Sequence, residues 1–560
     1  MADMRKWIVV LLGSLQLSGA APQPEAWFVD ALTKIFRDDQ PGTAAVPPLF
    51  DAARRTHVSV QLALRSAAAT PDVTVEAPPL RGPGAAISSI QVRWVEYVNV
   101  NSNSTGTPEE ELVRKAPGRF PDALLEEFPI PLRAGETRSI WLTVRVPADQ
   151  KPGEYRGEVR VRAGRRTLAR LPYRVKVWAA TAPSPIPLAI TNYMNLSEGL
   201  FQRHYGISRN TPEWWETIGN MARFLAAHHQ NGIFQNTPRL VRASLENGAM
   251  RYDFTDFDRF FGTFLSAGVD GNIQGGNLME RERRKGATIM VDAWVEKNGQ
   301  PVLERIPLSD PRSRVFLDGY LPALYRHLRG KGWEKKYMQG VMDEPTELET
   351  DAFAEVAALV RKHMPGVRII EPMSLRLNPD FLTRHIDVWV MHLGTIENKR
   401  EVLEEQARAG RELWFYTSLS PRGRYPNRLI DFSLLKVRIL HWLNFKYGLT
   451  GYLHWGANYW SENPIENTQP VINQGRTLLP PGDAFITYPN RARRTFYSSI
   501  RLEQMREGIE DYALLEALGK KRPEEARRIA ADAMQSPTEY VRDPRKFRSI
   551  HRALLEALSK

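Results

Sequence analysis

The chain of 560 residues has no cysteine, which excludes disulfide staples, thiolate metal centres and a cysteine nucleophile. A hydrophobic core must hold it instead, and a 42% hydrophobic composition can bury one large enough for several domains. Histidine is sparse at 11 residues, with no His-x-x-x-His or comparable ligand spacing, so neither a metal nor another cofactor is expected. Long apolar runs are missing beyond the first 21 residues, and no stable membrane span is expected there. Basic runs are few as well. The net charge is +12 with a pI near 9.6, yet only "RERRKG" (281–286) and "GKKRPEEARR" (519–528) cluster. Neither has a nucleic-acid-binding pattern, so nucleic acid is not an expected partner; an anionic lipid surface or a polyanionic glycan fits the charge as well.

What is present begins with an address. Arg5 and Lys6 precede the 11-residue apolar segment "WIVVLLGSLQL", and small residues follow, with a cleavage point after Ala20 or Ala21. A membrane anchor needs about 20 apolar residues. The segment therefore reads as a signal peptide over residues 1–21, and a secreted or periplasmic protein is expected.

From 22 to 181 the pattern alternates with period two. "THVSVQLALRS", "ISSIQVRWVEYVNV", "RSIWLTVRVP", "GEYRGEVRVRAG" and "LPYRVKVWA" predict half-buried antiparallel strands, hence an all-β sandwich. "TAPSPIPLA", with Pro183, Pro185 and Pro187, suits an extended linker. Beyond it strands alternate with helices. "LAITNYM", "GIFQNT", "VDGNIQG", "KYMQGVM", "VRIIEP", "IDVWVMHL", "ELWFYTS" and "TGYLHW" are eight strands spaced by amphipathic segments. Two of those helices announce their starts: Thr211 with Pro212, and a capping box of Thr346 and Glu349. Eight βα units predict a (β/α)8 TIM barrel over 182–560, closed by C-terminal helices; a doubly wound open sheet fits eight evenly spaced strands less well.

In such a barrel, residues at the C-terminal ends of strands build the active site. Asp343 and Glu344, in "VMDEP", follow strand four directly. They can point into the bowl, lie in a surface loop, or place negative charge at the next helix's N-terminus. Asn236, Asn277, Glu371, His392, Tyr416 and His454 end six other strands, and Trp455, Asn458, Tyr459 and Trp460 follow strand eight. Aromatic faces beside amides and imidazoles suit a sugar, which offers apolar C–H faces and a rim of hydroxyls. Trp455 fits barrel core equally well. Three readings stay open on these residues: a glycosidase, a non-catalytic glycan binder, or a hydrolase pairing one of these acids with a distant one such as Glu371.

"VMDEP", "GYLHWGANYW", "GDAFITYP" (482–489) and "SIRLEQMREGIEDYALL" (499–515) resemble the catalytic region of glycoside hydrolase family 123. "WFVDALTKIFRDD" and "RSIWLTVRVPADQKPGEYRGEV" are similar to that family's N-terminal sandwich. The resemblance implies a retaining β-N-acetylgalactosaminidase in which the sugar's 2-acetamido oxygen attacks the anomeric carbon. It implies that Glu344 is the general acid and base and that Asp343 receives the acetamide N–H. Trp455, Asn458, Tyr459, Trp460, Tyr416, His392 and Asn236 are then expected to line the sugar pocket, with a glycan as partner. Arg506, Glu507, Glu510 and Asp511 are expected to bond barrel loops.

Overall fold

A computed structural model describes residues 24–282, 288–373, 377–472 and 475–560. The leader expected over 1–21 lies outside the described residues, as does most of the "RERRKG" run. Two sheets build the N-terminal sandwich. The larger runs Glu25–Val29, Thr56–Arg65, Thr137–Val146, Ile90–Val100, Gly118–Leu125, Thr495–Ser499 and Tyr488–Asn490 in spatial order. The smaller runs Leu49–Arg54, Arg166–Thr181, Gly153–Ala163, Thr70–Glu76 and Ile130–Leu132. Between them Val58, Val60, Leu62 and Leu64 meet Val159, Val161, Val175 and Val177, each burial contributing about 1.5–3 kcal/mol over exposure.

The sandwich departs from expectation in three ways. Thr56–Arg65 and Thr137–Val146 are buried on both faces rather than half-buried. Their outer face is covered by helix Ile500–Lys521, whose Glu507 accepts a hydrogen bond from the Ser59 backbone N–H at 3.0 Å. One pair, Leu49–Arg54 with Arg166–Thr181, is parallel. The hairpin Tyr488–Ser499, far along the chain, also completes the larger sheet beside Gly118–Leu125.

The second unit is the predicted barrel. Its strands are Ala189–Asn192, Gly232–Gln235, Asn272–Gly275, Tyr337–Gln339, Arg368–Met373, Val388–His392, Glu412–Tyr416 and Gly451–His454, and each adjacent pair that hydrogen-bonds is parallel. Strands one and two meet through Asn231. Its backbone N–H donates to Ile190 O at 3.1 Å and its Oδ1 accepts from Ile190 N–H at 2.8 Å. Helix Pro212–Ala227 starts as expected, with Thr211 Oγ1 accepting from Trp214 N–H. The Thr346–Glu349 capping box forms too, on a 3-10 turn leading into helix Thr350–His363. An antiparallel sheet of Glu280–Arg281, Ile289–Lys297 and Gln300–Pro307 rises after strand three. Among the described residues no helix is long and apolar enough to cross a membrane.

Candidate active site

Strand four ends at Gln339, and the chain needs glycine next. A Cβ on Gly340 would lie 2.8 Å from Asn277 Oδ1 and 3.2 Å from Gly275 O, so only glycine lets the ends of strands three and four meet. Val341 and Met342 then leave the ladder, and both backbone N–H groups donate to Glu371 Oε1 on strand five. The side chain of Glu371 thus replaces the lost ladder acceptor. Its carboxyl is fully buried, and its Oε2 has no hydrogen-bond partner among the described residues. Burial pushes this carboxyl well above the usual range, and the Asp343 charge adds to the effect. Glu371 is therefore a neutral acid inside the wall.

Asp343 and Glu344 follow, exposed on the rim. Glu344 has φ of 44°, in the left-handed region that costs a non-glycine residue about 1–2 kcal/mol. Several contacts hold it there. Glu344 N–H donates to Pro372 O at 3.2 Å. Arg281, from the sheet after strand three, donates to Asp343 O at 3.2 Å and to Glu344 O. Arg281 Nε also donates to Glu349 Oε1 at 2.7 Å, and Glu349 Oε2 accepts from Thr346 N–H at 2.8 Å. The capping-box acid of the following helix thus anchors the guanidinium that grips the acid pair.

Tyr416, at the end of strand seven, donates its hydroxyl to Glu344 Oε1. Burial raises the Tyr416 hydroxyl far above its ordinary value and the Glu344 charge raises it further, so it remains a donor at any working pH. The ring of His392 meets Tyr416 edge-on, centroids 5.2 Å apart. His392 Nδ1 accepts from Gly394 N–H at 3.2 Å, which leaves Nε2–H to donate to Ser420 Oγ at 2.9 Å. Burial lowers the affinity of His392 for a second proton, so it is neutral.

Tyr193, at the end of strand one, joins this group from the other side. Its ring stacks on Phe234 at 3.9 Å. Burial, then the charges of Asp343 and Glu371, push its hydroxyl well above the ordinary value, and Tyr459 weighs on it also. Trp455 and Tyr459 lie 5.0 Å apart, both half-buried. Trp455 Nε1–H donates to Asp483 Oδ2 at 3.2 Å. Asp483 is fully buried, and burial raises its pKa to about 7 against the opposing pull of Arg428.

Asp343, Glu344, Tyr416 and His392 thus come together, with Tyr193 linking them to Trp455 and Tyr459. Other expected site residues are committed elsewhere. Asn458 is buried, its amide bonded to both backbone groups of Asn195 at 2.8 and 3.0 Å. Trp460 is buried against His204 and Phe496, its N–H on Thr487 O at 2.7 Å. These two brace the wall. Asn236 sits half-buried past strand two, its Oδ1 without a hydrogen-bond partner among the described residues. His454 is buried beside Asp483 and kept neutral by burial and by Arg428. Of Arg506, Glu507, Glu510 and Asp511, Glu510 bonds His229 in the barrel turn before strand two as well as sandwich residue His57, while the others bond helix Leu434–Arg438 and their own helix, because that helix runs between the two units. Sequence reasoning passed over Tyr193 and Arg281. Tyr193 ends a strand like the residues that were singled out, and Arg281 opens the basic run after strand three.

A family model for the glycoside hydrolase 123 catalytic domain matches residues 201–518. The chain belongs to glycoside hydrolase family 123. A second model, for that family's N-terminal domain, matches residues 50–163. The protein is therefore a glycosidase, and its substrate is a glycan. A family 123 glycoside hydrolase from Clostridium perfringens, studied for glycolipid glycan hydrolysis, has a similar fold at TM-score 0.74 and 17% identity, over 96% of this chain and 97% of that one. A family 39 glycoside hydrolase from Bacteroides cellulosilyticus covers 83% of this chain and 82% of its own at 10% identity, with a TM-score of 0.35 that is too low to bear on activity. No curated protein matches the chain.

Proposed function

We propose that this family 123 hydrolase is a retaining β-N-acetylgalactosaminidase in which the substrate's 2-acetamido oxygen is the nucleophile. The observation that carries the reading is the placement of Asp343 and Glu344: adjacent in sequence, both open to solvent, at the end of strand four. Neighbouring residues on one strand end serve one side of a sugar. Two-carboxylate glycosidases instead flank the scissile bond, with carboxyl groups about 5–5.5 Å apart when retaining and about 6.5–9.5 Å apart when inverting. Glu371, the distant acid that the sequence offers as a second carboxyl, is buried, bonded to backbone amides and pushed by burial toward its neutral form.

In this mechanism Tyr416 holds Glu344 Oε1, and Oε2 carries the proton to the departing glycosidic oxygen. Asp343 accepts the acetamide N–H and balances the positive charge that develops as the acetamide oxygen closes onto the anomeric carbon. Glu344 then takes a proton from the water that opens the ring. Trp455 and Tyr459 supply faces for the sugar's C–H surface. Glycolipid glycans, the subject of the Clostridium perfringens work, are the first natural candidates, and a location outside the cytoplasm is proposed on the leader-like pattern of residues 1–21.

Aryl glycosides differing only at C2 test the reading. The 2-acetamido galactoside should turn over and its 2-hydroxy counterpart should not. Asp343→Asn should lower turnover about 10²- to 10³-fold, and a thiazoline mimic of the cyclised acetamide should bind the variant less tightly than the wild type. A 2-fluoro sugar trapped as an ester on any Asp or Glu would overturn substrate assistance.

A further inference from the structure

We propose that His57, His229 and Glu510 form a zinc site that ties the sandwich to the barrel. The three come from separate parts of the chain: His57 from sandwich strand Thr56–Arg65, His229 from the turn before barrel strand two, Glu510 from the middle of helix Ile500–Lys521. His57 Nδ1 lies 2.6 Å and His229 Nε2 2.9 Å from the same Glu510 Oε1. One ligand atom from each residue fits within 4.8 Å of the others, and among the described residues no second such group of three occurs. The cluster lies at the end of the barrel opposite the acid pair, so it is separate from hydrolysis.

Charge balance is what singles it out. The helix carries four buried carboxylates into this junction, Glu503, Glu507, Glu510 and Asp511. Glu503 is paired with Arg93 and Arg506, and Glu507 and Asp511 with Arg438. Among the described residues no guanidinium or ammonium is bonded to Glu510; its partners are the two imidazoles and the His57 backbone N–H at 2.8 Å. Four carboxylates thus meet three guanidiniums, those of Arg93, Arg506 and Arg438, all of them bonded to the other three acids.

Two imidazole nitrogens and a carboxylate oxygen are a zinc donor set, with water as the fourth ligand. Tetrahedral bonds of about 2.0–2.2 Å hold ligand atoms about 3.4 Å apart, so the His–Glu contacts of 2.6 and 2.9 Å must open to admit the ion. Zinc would take His57 Nδ1 and His229 Nε2, the two nitrogens that face Glu510 Oε1. Access is available: the side chains of His57 and His229 are 15% and 25% exposed, beside a cleft of about 490 Å³ lined also by Gln91, Glu126 and Arg145.

The test is zinc chloride titrated into the full, chelator-treated chain, followed by calorimetry and thermal unfolding, with cobalt(II) as a coloured probe. One zinc per chain should bind and raise the unfolding temperature, and cobalt should give the visible bands of a tetrahedral ion. His229→Asn, which tolerates the backbone φ of 59° at this position, and His57→Gln should each weaken binding at least tenfold. His551→Gln, in the neighbouring network, should not. Absence of binding to the wild type, or equal binding by the wild type and both variants, overturns the site. Hydrolysis measured in parallel reports on the acid pair alone, so the two readings fail separately.

Discussion

Helix Ile500–Lys521 takes Arg501, Glu503, Arg506, Glu507, Glu510 and Asp511 into the sandwich–barrel junction, all nearly inaccessible to water. Arg501 there grips Asp122 with two hydrogen bonds of 2.8 Å, and Tyr488 adds its hydroxyl at 2.7 Å. The barrel rim treats charge differently. Asp343 and Glu344 stay exposed, and Arg281 holds their backbone carbonyls. A buried pair satisfied on all sides has no capacity left for a ligand, and removing one member strands the other. On the rim the clamp acts on the backbone of the acid pair, and the side chains stay at the solvent boundary, Glu344 Oε1 taking the Tyr416 hydroxyl. The same residue types thus build a joint in one place and a reactive surface in the other.

Four experiments probe that contrast. Glu344→Gln should lower turnover of glycosides with poor leaving groups about 10²- to 10⁴-fold, spare activated aryl glycosides, and leave the unfolding midpoint unchanged. Equal losses on both substrate types would remove Glu344 as the acid. Asp122→Ala should behave oppositely, costing about 3–5 kcal/mol of stability by stranding Arg501. Urea unfolding reads this, and a loss below about 1 kcal/mol would mean that the joint does not depend on its ion pairs.

A smaller effect concerns Asp483 beneath Trp455. Its folded pKa, about 7, stands above the ordinary carboxyl value of 3.8, so the folded protein keeps a proton that the unfolded chain releases. Stability from this group is present below pH 4 and declines between about pH 4 and 7, by at most roughly 1.4 kcal/mol per pH unit. Asp483→Asn should remove that decline, gaining on the wild type at pH 7 but not at pH 4. Parallel slopes in urea unfolding at the two pH values would show Asp483 to be ionised in the fold. The smallest change is Arg281→Met, expected to lower kcat about tenfold, or about 1.4 kcal/mol, with little change in stability. Unaltered kcat would mean that Glu344 holds its left-handed backbone without the clamp.

Local patterns made much of the architecture legible. Period-two alternation located sandwich strands, and strand–helix alternation located all eight barrel strands, because each pattern follows from which face of one element meets the core. The Thr211–Pro212 start and the Thr346–Glu349 box depend only on residues within a turn of each other, and both form. The "VMDEP" position was readable for the same reason. Contributions that arrive across the chain were not. Alternation cannot show that Thr56–Arg65 is covered on its second face by a helix some 450 positions later, since that face carries small and polar residues such as Ser59 and Gln61 whose partners are backbone and carboxylate groups.

The rim divides along the same line. The sequence by itself determined that two adjacent acids end strand four, that aromatics follow strand eight and that a barrel carries both, because strand order and periodicity are properties of contiguous residues. Only the tertiary structure decided which neighbours act on them. It turned Asn458 and Trp460 into the wall, made Glu371 a neutral acceptor for two stray backbone amides, and brought Tyr416, Tyr193 and Arg281 to the acid pair from strands seven, one and the insert after three. Those encounters depend on how closed strands stagger and how far long side chains reach, and hydrogen bonds of about 3 Å distinguish between positions that a linear pattern treats as equivalent.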